Sequence, residues 1–262
     1  MSVKFNDKCC IKTHVVMRRI LPDGSIGEIL NEGHNIVNIS GSGFLTRKLF
    51  EAFHDTAEVT PSYNDQLGLD NNIPTPVTAE EYVYLFAMGT GGCGKEPYQK
   101  YEPQYLSWIK PEELIPFRYV DISTDINDSL RETYYGRCER TNKIIYYFKR
   151  PENMESPERV QQYIDGTPID SSVYRSVRQD EAETRVQLHL KITKEEGRAF
   201  FRSTTGINSA RVNQISLLTA YPKLVEGKIY YQNIRPLTLY NFNTIPLIDD
   251  DLGVDIKYDL YF

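Results

Sequence analysis

Gly89-Thr90-Gly91-Gly92-Cys93-Gly94-Lys95 follows directly on an apolar run at 82–88 and has the Gly-x4-Gly-Lys spacing of a phosphate-wrapping loop. Such a loop also needs Ser or Thr after the lysine, to ligate magnesium, and a helix whose N-terminus faces the phosphates. Here Glu96 would set a carboxylate against them, and Pro97 and Pro103 bracket a poor helix former. The competing reading is a flexible glycine loop at the end of a strand.

Other chemistries find less support. His14, His34, His54 and His189 are scattered, with no Cys-x2-Cys or His-x3-His pair. Cys9 and Cys10 are adjacent, so on a strand they point to opposite faces. Asp249-Asp250-Asp251-Leu252-Gly253 lacks the spacing of a calcium loop and reads as a solvated turn. Glu80-Glu81 and Glu112-Glu113 do not single out an acid and a nucleophile, and no Gly-x-Ser-x-Gly elbow occurs. The expectation is a protein that is not an enzyme, with no catalytic, cofactor-binding or metal-ligating residue.

The elements that would position any site are strands. Residues 10–20 are rich in β-branched side chains and run into the turn Pro22-Asp23-Gly24-Ser25, from which 26–30 returns as a hairpin partner. Residues 131–149 read as two strands around Thr141-Asn142. Residues 184–193 alternate with Val186, Leu188, Leu190 and Ile192 inward; further strands fall at 212–220, 229–234 and 237–242. Val254, Ile256, Tyr258, Leu260 and Phe262 share one face of a closing strand whose other face, Asp255, Lys257, Asp259 and Tyr261, should be wet. One helix is expected at about 42–54, from the N-cap Ser42 and the spacing of Leu45, Leu49 and Phe53. With no βαβ rhythm, the fold class is mainly β: an antiparallel β-sandwich in a single domain, 1–262. Two long ordered loop excursions, 55–81 and 150–183, are expected to reach neighbouring subunits.

A net charge of −6 argues against nucleic acid or an anionic membrane as partner. No apolar run approaches the roughly 18–20 residues that span a bilayer. The opening residues lack the apolar stretch of a secretory signal, and four cysteines fit a reduced compartment, so synthesis in a cytoplasm is expected. Nineteen tyrosines against one tryptophan suit surfaces that are half apolar and half wet; tyrosine is also simply favoured in strands. The expected contact aromatics are Tyr63, Tyr98, Tyr101, Tyr105, Trp108 and Tyr163.

Four stretches carry a resemblance: Gly33-His34-Asn35-Ile36-Val37-Asn38, Tyr84-Leu85-Phe86-Ala87-Met88-Gly89-Thr90-Gly91, Val212-Asn213-Gln214-Ile215-Ser216-Leu217-Leu218, and the tail from Ile229 to Phe262. In this order they resemble virion structural proteins of tailed bacteriophages. The resemblance implies a β-sandwich subunit repeated in a tail, neck or baseplate ring, located in the virion and bound to copies of itself and to other virion proteins. The alternative is a carbohydrate- or receptor-binding sandwich of a phage fibre or capsid decoration, in which the same aromatics stack on sugar rings.

Overall fold

The computed structural model describes residues 12–34, 36–37, 62–70, 81–94, 99–102, 107–152, 161–164, 167–168, 183–248 and 253–261. In chain order the strands are β1 Lys12–Ile20, β2 Ile26–Gly33, β3 Ile36–Val37, β4 Tyr82–Gly89, β5 Leu114–Ile115, β6 Arg118–Asp121, β7 Tyr134–Arg140 and β8 Lys143–Lys149. They continue with β9 Gln161–Ile164, β10 Thr167–Pro168, β11 Glu183–Ile192, β12 Arg211–Val225, β13 Lys228–Pro236, β14 Thr238–Pro246 and β15 Gly253–Tyr261. Among the described residues three short α-helices punctuate them: α1 Tyr63–Leu67, α2 Asp128–Arg131 and α3 Arg198–Thr204. The helix expected at 42–54 lies outside the described residues. The three helices seen are too short, at one or two turns, to leave a readable 3.6-residue pattern.

The protein is mainly β, with two antiparallel sheets. One sheet has the order β10-β9-β11-β15-β1-β2; the other runs β3-β14-β12-β4-β8-β6, with β13, β5 and β7 attached to β12, β4 and β8. The two sheets face each other across one core. Val15, Met17, Leu188, Leu190, Val254, Ile256 and Tyr258 come from the first, and Phe86, Met88, Ile215, Leu217, Tyr240 and Phe242 from the second. The second sheet buries its other face too, under α1 and the segment around Ile109, in a cluster that includes Tyr63, Leu67, Leu85, Leu218, Tyr231 and Ile234. Burial on both faces explains the near-continuous apolar run of β4, which a strand wet on one side would not show.

Turn chemistry agrees with the sequence reading at two hairpins. Asp23 Oδ1 accepts from the Ser25 N–H at 2.9 Å and the Ser25 hydroxyl at 2.6 Å, closing the β1–β2 turn. Thr141 and Asn142 both have positive φ, 42° and 64°, as a two-residue turn between paired Arg140 and Lys143 requires.

The closing strand forms as expected but is more buried. β15 lies centrally, between β1 and β11, and Val254, Ile256, Tyr258 and Leu260 are inward as expected. Its other face is not wet throughout: Asp255 and Asp259 are buried. Side chains of the neighbouring strand β11 partner them. Gln187 Nε2 donates to Asp259 at 2.8 Å, and the His189 ring pairs with Asp255. The excursion 150–183 is also partly sheet, since β9 and β10 extend the first layer beyond β11.

Candidate interaction surface

The glycine loop is a packing device. Thr90 N–H donates to the Glu113 carbonyl at 3.0 Å, Gly91 N–H to Gln214 Oε1 at 2.9 Å, and Gly92 N–H to Asn213 Oδ1 at 2.7 Å. These three backbone donors are thus engaged by acceptors on β12 and the 113 segment and are not free for a phosphate. A Cβ on Gly91 would meet the Glu113 carboxylate, and one on Gly92 would collide with the Asn213 carbonyl oxygen. Glycine is needed here because the chain lies directly against β12.

One buried polar constellation invites a catalytic reading. Glu196 accepts from the Tyr134 hydroxyl at 2.5 Å, from the Thr193 N–H at 2.8 Å and from Lys149 Nζ at 3.0 Å. Lys149 Nζ also donates to the Lys191 carbonyl at 2.6 Å. Burial first, then the neighbouring Glu196 charge, pushes the Tyr134 hydroxyl well above its ordinary value. Each carboxylate oxygen has a donor, and the group ties β7 and β8 of one sheet to β11 of the other. Its geometry is that of a strut. Among the described residues, no three His, Cys, Asp or Glu side chains are grouped to hold a metal ion, and no helix is long and apolar enough to cross a membrane.

Among the described residues the expected contact aromatics lie on different segments. Tyr101 is 56% exposed and Trp108 half-buried. Tyr163 sits on β9, opposite Pro168 and Glu183. Tyr98 and Tyr105 lie outside the described residues. Tyr63 is corrected: it is fully buried on α1, its hydroxyl donates to the Ile109 carbonyl at 2.5 Å, and its ring lies 5.5 Å from Phe148. Apolar burial claims it for the core. Next to it, Asn64 Nδ2 donates to the Tyr231 carbonyl and Asn64 Oδ1 accepts from the Ile234 N–H, both at 2.9 Å. These bonds span the bulge where Asn233 has φ 51°, and they pin part of the 55–81 excursion to β13.

The surface that sequence reasoning missed is the end of a long hairpin. β13 and then β14 pair along the same β12 strand, so 211–246 is one hairpin turning at Glu226 and Gly227, both at positive φ. β4 accompanies β12 only as far as Ala220, opposite Tyr82. Beyond that point, among the described residues, β12 and β13 continue as a two-stranded ribbon in which residues 221–230 are all half-buried or exposed. Leu224 and Ile229 face each other near its tip, 70% and 47% exposed. At the ribbon's base Tyr82, Tyr84, Tyr231 and Tyr135 contact in series, with centroids 6.0, 5.1 and 4.6 Å apart, leading from the surface inward. The available signal was Glu226-Gly227 between Leu-Val and Lys-Ile, a two-residue glycine turn without the usual Asn or Asp.

Comparison with known protein families, curated proteins and solved structures finds no match to this chain.

Proposed function

We propose that this chain is a structural subunit of a tailed-bacteriophage virion, built into a tail, neck or baseplate ring through contacts with its own copies and with neighbouring virion proteins. The observation that carries the reading is the ribbon. A two-stranded hairpin without a third strand is marginal in water. This one nevertheless leaves the sheet with Leu224 and Ile229 outward. A partner surface would cover both and stiffen the ribbon, which is how an assembly subunit uses an arm. The phage-like order of motifs supplies the kind of assembly.

The test is immunogold labelling of purified phage particles, using antibodies raised against the recombinant chain, with mass spectrometry of the same particles. Gold at one substructure and peptides throughout the chain support the reading. Particles that lack the chain overturn it.

A further inference from the structure

We infer that the ribbon tip of one copy docks on the β1–β2 hairpin of the next copy, in a head-to-tail contact. The inference rests on the subunit reading above and names the contact that would build the ring.

The receiving surface is the second exposed apolar feature of the fold. Among the described residues β2 is the last strand of its sheet, paired on one side with β1. Ile26 and Ile29 are 49% and 48% exposed, opposite Ile20 and Arg18 of β1. An open edge strand with outward isoleucines is a liability unless something covers it. The ribbon is a matching liability, with its own apolar pair at the tip.

Charge favours joining the two. Near its tip the ribbon carries Lys223 and Lys228 with one carboxylate, Glu226; on the hairpin the carboxylates Glu28 and Glu32 lie on the outer strand β2, and the cations Arg18 and Arg19 on β1 behind it. Glu28 already meets Arg19 at 3.1 Å and Glu32 meets His14 at 3.0 Å. Both keep more than half of their side chains exposed, at 63% and 53%, and remain open to a further cation.

The two surfaces of one chain stay apart. Asn31 of β2 is tied to Asn243 of β14: Asn31 Nδ2 donates to the Asn243 carbonyl at 3.2 Å, and the Asn243 N–H donates to Asn31 Oδ1 at 3.1 Å. Asn243 lies near the opposite end of the long hairpin from Ile229, about 40 Å along the strands at roughly 3.3 Å per residue. Ile26 is at most about 17 Å from Asn31 on the same measure. A contact between the patches therefore joins two copies, and different patches on each copy generate a ring or a filament.

The experiment is sedimentation velocity on the full chain over a range of concentrations, for wild type, Leu224→Asp and Ile26→Asp. Both positions are exposed, and circular dichroism checks that each variant is folded. Wild type should associate beyond the dimer. Each variant alone should need on the order of tenfold more protein or greater to associate. An equimolar mixture should give dimers, because each variant keeps the half of the contact that the other has lost. A monomeric wild type, a variant that associates like wild type, or a mixture no more associated than its components would each overturn the inference. If particles contain the chain while the purified wild type stays monomeric, the head-to-tail contact fails and the virion reading stands. Association through this contact by a chain absent from particles gives the reverse result.

Discussion

Lys149 and Glu196 form an ion pair of 3.0 Å whose side chains are 4% and 0% exposed, at a point where the two sheets meet. Removing one partner strands the other charge out of water. Lys149→Met should therefore cost about 3–5 kcal/mol, and Lys149→Met combined with Glu196→Leu should cost less than the two single changes summed. Urea denaturation of the four proteins measures this. An additive double variant would show that the pair is not coupled.

Asn64 does for β13 what a neighbouring strand would do. Asn64→Ala leaves the Tyr231 carbonyl and the Ile234 N–H without that partner in a buried place, at about 1–3 kcal/mol for each group. Amide exchange at Ile234 should quicken more than exchange at Leu218 in the adjacent strand. Equal change at both sites would mean that the loss is global.

The two loop glycines should respond unequally to alanine. At Gly91 the obstacle is the end of the flexible Glu113 side chain; at Gly92 it is the Asn213 backbone carbonyl. Gly92→Ala should lose about 1–3 kcal/mol and Gly91→Ala less, read from thermal or urea melts. The reverse order would show that the loop is not seated on β12 as described.

Alkaline pH should unfold the protein through its buried tyrosines. Burial is the leading cause that raises Tyr63, Tyr134, Tyr146, Tyr231 and Tyr258 well above the ordinary phenol value. A raised folded value means that stability is fully present below about pH 10, where unfolded tyrosine ionises, and falls as pH rises beyond it. Absorbance at about 295 nm should show a late tyrosinate class that appears together with loss of the β-sheet signal. Full ionisation with the fold intact would contradict these burial assignments.

Much of the fold was legible because alternation is local. The inward sets Leu188, Leu190, Ile192 and Val254, Ile256, Tyr258, Leu260 follow from a period of two, and Thr141-Asn142 marks its turn. Alternation tells which residues share a face, but not what lies over that face. Asp255 and Asp259 therefore read as wet although β1 and β11 flank them. Tyr63 and Asn64 were misplaced or missed for a related reason: the carbonyl that Asn64 meets is 167 positions away, and five helical residues carry no usable period. The exposed pair Leu224 and Ile229 was hidden by its own apolarity, since such residues in a strand read as core.

The first layer has a consequence for biosynthesis. Lys12 is paired with Tyr261, 261 − 12 = 249 positions later, and β15 separates β1 from β11. A ribosome must therefore synthesise everything from β1 through β15 before β1 acquires this neighbour. Until then β2 is its one sheet neighbour among the described residues, and such long-range closure is slow. Nascent chains stalled ahead of 253–261 should be easy prey for proteases and ready substrates for chaperones.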